Sequence, residues 1–578
     1  MKQTRLLNNV IGGSYEADVK IAGCAVSQNL YAESVEEASN GFYYTSALRS
    51  VDGERVVLDL FGVKDVETKG CRGMFVASDS SIFAAFGSSI VRITKNLANG
   101  LWTYSTIYTE SELTLSKVRF AETGGVNSHV CWVDGSTQVK AYPLEPEKAP
   151  EGVSLPLKFT TPLRVYKTAD EVVEDTNYNV RPSHICSING CLVINDPEND
   201  TWYYTDAYIL GGTTYERQVY DLDGNGNIQY ESDDSYKVKT RTVKLWETDG
   251  SSTASYLWLD RYSKPRFQTA EYSADKVSGM IVCGDLLFVI GMKSLQMYNQ
   301  QASTDAQGFS SMVFSSVNRN IRDIGAKSAD TIAELNGNVI FLGSSARGDR
   351  SVWVTNGGAP VRISTNVMER EWEGVYLDDS YAFAWNENGH NFYAITIPRL
   401  QKTYCYDFAT KQWHNRSTRL ENGTDVEWWV KDVVNCDGDI CLASDSESVL
   451  AKLDRKKFDD FRGQPIIKRR TAPILTNDYS PFMVNDLMLL WNNGTTDDIN
   501  NENEAKNPVV MLEVSLDGGN TFGSERWGYG GEVGMYSHRT IWYGIGAGNM
   551  IVFRFTISDR VNVVITGCKV SYTALSNF

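Results

Sequence analysis

Apolar and polar residues alternate along this chain in runs of four to eight, and the runs come in pairs around tight turns. The stretches 73–78, 82–86 and 87–93 read as three short strands, with Asp79, Ser80 and Ser81 as the first turn. The stretches 128–133 and 138–142 flank Asp134 and Gly135. Further pairs surround Asn189-Gly190, Asn336-Gly337, Asn388-Gly389 and Asp437-Gly438, each followed by a third strand-like run. Alternation with period two buries one face of a strand, and Asn-Gly or Asp-Gly supplies the backbone of a two-residue hairpin turn.

One unit describes all of these pairs: strand, tight turn, strand, then a third strand after Gly-Ser or Asp-Ser. The unit recurs every 45 to 60 residues or about that, which suits four-stranded propeller blades. The pattern predicts an all-β protein, a degenerate β-propeller of six or seven blades over 61–462. Two stacked sandwiches are the alternative. A mixed N-terminal segment, 1–60, precedes the propeller, and a C-terminal antiparallel β-sandwich, 466–578, follows it. Two stretches break the pattern. Residues 144–182 are rich in proline and carry an acidic run from Asp170 to Asp175, which predicts a long excursion. Residues 203–275 are polar, aromatic and acidic, which predicts an inserted hairpin subdomain.

Composition narrows the class. Of 578 residues, 42% are hydrophobic, with 30 Tyr, 22 Phe and 14 Trp, and 47 Gly against 14 Pro. Aromatics suit half-buried pleated surfaces and glycine suits turns, so the balance favours β-structure. The net charge of −17 argues against nucleic acid held on the surface, because phosphate binding needs Lys and Arg to displace counterions. A negative wall is compatible with DNA that slides past without sticking. Ten cysteines occur without a Cys-x-x-Cys; Cys186 and Cys191, and Cys436 and Cys441, flank hairpin turns and read as reduced core residues. The N-terminus lacks an apolar signal core, and no run reaches the roughly 18 residues that a membrane helix needs. The expectation is a soluble protein made in a reducing compartment.

Catalytic signatures are missing: there is no Gly-x-Ser-x-Gly, no P-loop and no His-Glu-x-x-His. His129, His184, His390, His414 and His538 show no ligand spacing and read as surface or loop residues. Gly544, Gly546 and Gly548 read as a hairpin tip. Asp221, Asp223 and Asn225, with Gly226 and Ile228, match the first positions of a calcium loop, but Ser232 stands where a bidentate Glu belongs. Calcium is therefore the one cofactor candidate, against a plain Asp/Asn/Gly turn. Ser515, Asp517, Gly519, Thr521 and Phe522 form an Asp-box pattern of the kind found in sialidase-type propellers, which raises a glycan-binding or glycan-cleaving propeller as the alternative function. A glycosidase needs a placed acid and a nucleophile or base, and no such pair stands out. The basic run Lys468, Arg469, Arg470 is the candidate contact between subunits or with an adaptor; a solvated linker is the plainer reading.

Three groups of residues resemble the tail hub, or nozzle, family of short-tailed bacteriophages, the packaged DNA stabilisation proteins. Asn29, Leu30, Tyr31 and Glu33 are similar to the family's opening, although the Pro-Gly expected soon afterwards is absent and residues 49–53 stand there instead. The stretch 287–298, ending in Tyr298, resembles a characteristic strand pair. Residues 515–522, Arg539 with Trp542, Phe553-Arg554-Phe555 and 563–567 resemble the closing sandwich in order. The resemblance implies a β-propeller with a β-sandwich, and a ring of six copies below the portal and adaptor proteins. It implies that the ring retains packaged DNA, conducts it on ejection, and meets tail fibres or spikes and a plug or needle protein. It implies a virion tail location after assembly in the host cytoplasm, and no catalysis.

Overall fold

Four of the turns named above set the architecture. In the computed structural model, Asn189-Gly190, Asn336-Gly337, Asn388-Gly389 and Asp437-Gly438 all hold positive φ at both positions, the geometry of a type I′ turn. They close the pairs Ile188↔Cys191, Leu335↔Asn338, Glu387↔His390 and Cys436↔Asp439. The structure describes residues 2–34, 46–111, 116–125, 128–149, 154–167, 172–205, 215–221, 223, 229–232, 237–243, 258, 265–270, 275–304, 310–317, 321–322, 324–345, 350–494 and 506–575.

Seven blades, each built on four strands, surround an axis. Their innermost strands are Cys71–Val76, Arg119–Glu122, Ile185–Ile188, Val277–Cys283, Ala333–Leu335, Tyr381–Glu387 and Asp432–Cys436. Each neighbours the next, and the last lies against the first. The first blade shows why the sequence folds this way. Its second strand, Ile82–Phe86, is buried on both faces between neighbours, and its fourth, Trp102–Thr109, is mostly open to solvent. Apolar cores form between successive blades; that of Leu60, Cys71, Phe86 and Ile93 reaches Cys441 and Leu450 of the last.

The seventh blade has only three strands of its own. Its outer strand is Gly53–Asp59, paired antiparallel with Val449–Asp454. The 1–60 segment is thus shared out: Gly53–Asp59 closes the propeller, while Lys2–Leu7, Leu30–Ser34 and Ser46–Ser50 join one layer of the sandwich with Val564–Ala574, Phe482–Trp491 and Thr540–Gly548. Cys24–Gln28 does a third task. It lies between Gln412–Arg419, the outer strand of the sixth blade, and Lys468–Thr471 of the other sandwich layer. One sheet of twelve strands therefore runs from the propeller into the sandwich.

The stretch 144–182 differs from the expected excursion. Leu157–Thr160 is the outer strand of the second blade, paired with Gln138–Pro143. The next strands, Leu163–Lys167 and Val172–Asn179, pair only with each other. Prolines on either side mask a four-residue strand that alternates buried and half-buried positions. Within 203–275, Tyr215–Tyr220 pairs with Val238–Val243 as a hairpin inserted between Thr201–Tyr204 and Phe267–Thr269, the third and fourth strands of the third blade. Among the described residues no helix is long and apolar enough to cross a membrane.

Candidate assembly surfaces and the propeller channel

The seven inner strands enclose a channel of about 700 Å³, lined by Phe75, Phe120, Phe383, Ile281 and Val433 among others. Charged groups gather at the end where these strands begin. Arg119 pairs with Asp330 and donates from Nη1 to the Ser183 carbonyl at 2.9 Å; Lys117 Nζ lies 3.8 Å from the same Asp330 carboxylate. Burial pushes the Asp330 carboxyl up, but Lys117 and Arg119 outweigh it and hold it at about 2. Burial, with Arg119 adding to it, drives His184 well below the usual imidazole range. Asp432 accepts the backbone N–H groups of Met74 (2.9 Å) and Val433 (3.0 Å); burial nevertheless pushes its carboxyl up. Lys69 (2.9 Å) and Lys431 both pair with Asp445.

The joint between propeller and sandwich is built from residues at both ends of the chain. Asn29 takes the left-handed conformation (φ 55°), donates from Nδ2 to the Ile467 carbonyl at 2.8 Å and accepts the Ser417 N–H at 2.9 Å. Tyr31 enters the sixth blade between His390, Phe392 and His414, with ring centroids 5.0, 5.4 and 6.1 Å away. The basic run lies in this joint. Lys468 and Arg470 are each 1% exposed. Lys468 donates to the Asp559 carbonyl at 3.0 Å, and burial pulls its ammonium down to about 7. Arg470 donates to the carbonyls of Val10 (2.6 Å) and Gly13 (3.0 Å). Arg469, on the other face of the strand, is half-buried and donates to Gln28 Oε1 at 3.1 Å. Strand alternation separates it from its neighbours; it is the member of the run with side-chain surface to offer another subunit.

Four of the five histidines are buried, contrary to the surface reading. His129 opens the second strand of the second blade, His184 precedes the inner strand of the third, and His390 and His414 face Tyr31. His390 Nδ1 lies 2.8 Å from Asp407 Oδ2, a bond that raises the imidazole pKa against burial. Sequence spacing hides this group because Tyr31 reaches the adjacent strands of 390–414 only through the fold. All ten cysteines are free and buried. In the hairpins, Cys186 faces Val193 and Cys191 faces Ile188, so the two thiols are not cross-strand partners.

The Asp box is a self-contained turn. Asp517 Oδ1 accepts the N–H groups of Asn520 and Thr521 (3.0 Å each) and Oδ2 the Thr521 hydroxyl at 2.6 Å. Ser515 Oγ donates to Asp517 at 2.7 Å and accepts the Gly519 N–H at 2.8 Å. The Thr521 hydroxyl and N–H lead in holding the Asp517 carboxyl far below its ordinary range. Arg554 stacks 3.5 Å over the Phe522 ring. These donors all come from the hairpin itself, as a structural turn requires.

In the weak calcium-loop pattern, Asp221 accepts from Lys239 Nζ at 2.8 Å and has Lys237 at 3.8 Å. Asn225 lies outside the described residues. Among the described residues no group of three or more His, Cys, Asp or Glu is placed to hold a metal ion. On the sandwich, Trp527 (63% exposed), Tyr529, Tyr536 and Tyr543 (73%) stand open to solvent, the residue types that anchor protein interfaces.

Family models for bacteriophage P22 Gp10 match the chain in order. The β-propeller model matches residues 185–457, the third to seventh blades, and the β-sandwich model matches residues 468–573, beginning at the basic run. No curated protein matches the chain. Among solved structures, the crystal structure of the computationally designed Ika8 protein is similar at 11% identity, covering 69% of this chain and 100% of that one with a TM-score of 0.32.

Proposed function

The chain belongs to the phage stabilisation family of bacteriophage P22 Gp10, and from that membership we propose that it is a tail hub, or nozzle, subunit of a short-tailed phage virion. Copies form a ring, six in the simplest case, below the portal and adaptor proteins. The ring retains packaged DNA and conducts it on ejection. Tail fibres or spikes and a plug or needle protein dock around it, and the subunit has no catalytic role. Assembly takes place in the host cytoplasm.

The observation that carries this reading is the order of the two family matches across one continuous joint. Size supports a path between copies rather than through one. A volume of about 700 Å³ is that of a small-molecule pocket rather than of a passage for duplex DNA. The acidic balance of −17 suits a wall that lets phosphate slide. Exposed Trp527 and Tyr543 suit assembly. Negative-stain microscopy of the purified chain and of particles tests the reading: rings with a central opening are expected, and a protein that stays monomeric at every concentration, with no such ring in particles, overturns it.

A further inference from the structure

We propose that the mouth of each propeller channel is a binding site for one oxyanion of carboxylate or phosphate size. A cavity of about 130 Å³ opens there, bounded by Lys69, Arg72, Lys117, Lys431, Asp432 and Asp445 among its walls. That space admits a single anionic group and excludes a nucleotide or a helix, which need pockets several times larger.

The charges favour an anion. Five cationic side chains meet at the mouth: Lys69, Arg72, Lys117, Arg119 and Lys431. They face four carboxylates, Asp330, Asp432, Asp445 and Glu110. Two ammonium groups share Asp445, and Lys117 and Arg119 share Asp330. The cluster thus carries an excess positive charge inside a chain of net charge −17.

Lys117 is the group through which the anion would be held. It lines both the small cavity and the channel. Its only ion pair among the described residues is the 3.8 Å contact with Asp330, longer than a hydrogen bond. An ammonium has three donors, so Lys117 retains donor capacity where the space lies. A charge-assisted bond to an oxyanion in a partly buried site is among the stronger polar contacts.

Two sources supply this chemistry: free phosphate, or a carboxylate on a segment of a neighbouring tail protein. Titration of the full chain with inorganic phosphate and, separately, with acetate at constant ionic strength distinguishes them. Phosphate binding is followed by ³¹P line broadening and both anions by calorimetry. Saturable binding of at least one anion is expected, with Lys117→Gln and Lys431→Gln each weakening it fivefold or more. Lys456→Gln, on the exposed surface, should leave it unchanged. Preference for phosphate assigns the site to the free ion, and equal or better binding of acetate assigns it to a partner carboxylate. Non-saturable responses to both anions, or equal losses in Lys456→Gln, overturn the proposal. Thermal midpoints of the variants guard against misfolding, and if Lys117→Gln does not fold, Lys431→Gln decides. The measurement does not depend on whether the chain forms rings.

Discussion

The Glu54 carboxylate accepts the Trp428 indole N–H at 2.7 Å across 374 positions of sequence. Trp429 donates to its other oxygen at 2.6 Å, and the Phe461 N–H at 3.2 Å. Glu54 stands opposite Leu453 in the strand pair that closes the seventh blade. The start of the chain is thus latched into the propeller by a ladder and by a buried acceptor. Removing that acceptor strands two indole donors, a cost of about 1–3 kcal/mol for each buried group left unpaired. Glu54→Ala should lower propeller stability by about 2–5 kcal/mol, and Glu54→Gln by less, since the amide oxygen still accepts one indole. Urea unfolding followed by tryptophan fluorescence measures both; an alanine variant of wild-type stability would contradict the latch.

A second buried carboxylate gives the stability a pH dependence of definite sign. Glu387 accepts from Trp385 Nε1 at 2.9 Å. Burial pushes its carboxyl up, Arg416 pulls it back, and Asp52 pushes it up again, to about 7 against an ordinary 4.5. The fold therefore prefers the protonated acid. Its contribution is full below 4.5 and is lost as pH rises through about 7. His414 has the opposite sign: burial leads in holding it neutral down to about 3, so its contribution is present above 6.5 and lost as pH falls. Comparison with Glu387→Gln isolates the first group. The stability of the wild type relative to this variant should fall by up to about 3 kcal/mol between about pH 4.5 and pH 7. Parallel curves for the two proteins across that range would exclude the assignment.

The local chemistry of the blades was legible in the sequence, and their closure was not. Asn336-Gly337 and Asp437-Gly438 declare their turns because both positions need positive φ, which few residue pairs tolerate. Nothing near Gly53–Asp59 shows that its partner is Val449–Asp454, because pairing at that separation leaves no local pattern. The basic run is a different case. Lys468, Arg469 and Arg470 read as a contact between subunits or as a solvated linker, and neither reading shows that strand alternation puts the first and third on the buried face, where backbone carbonyls await them. The channel mouth is legible only in three dimensions, since Lys69, Lys117 and Asp330 come from three connections that lead into different blades and Asp432 opens the inner strand of a fourth.

The Asp box should matter to the sandwich alone. Asp517→Ala removes the acceptor of two backbone N–H groups and of the Ser515 and Thr521 hydroxyls. The turn is exposed, so water replaces part of what is lost. The expected cost is about 1–2 kcal/mol, confined to the unfolding transition of the sandwich in calorimetry. An equal shift in the propeller transition would show instead that the hairpin bears on the joint.

The last prediction concerns how the N-terminal arm is held. Arg470 binds the carbonyls of Val10 and Gly13 through Nε and Nη1, two atoms in one plane. Lysine keeps the charge but loses the fork, so Arg470→Lys cannot reach both carbonyls from the same buried position. Arg470→Ala removes the donor of both, from the Val10 carbonyl in a buried site and from the Gly13 carbonyl in a half-buried one. Either change should loosen residues 2–28 without opening the blades, because the propeller ladders do not pass through Arg470. Hydrogen exchange checks this directly. Amides of Cys24–Gln28, which pair with Lys468–Thr471, should exchange at least tenfold faster in both variants, a loss of about 1.4 kcal/mol or more in local opening free energy. Amides of Ile82–Phe86 in the first blade should be unaffected. Unchanged protection of Cys24–Gln28 would mean that its backbone pairing with the sixth blade and the sandwich holds the joint unaided, and that Arg470 only fills space there.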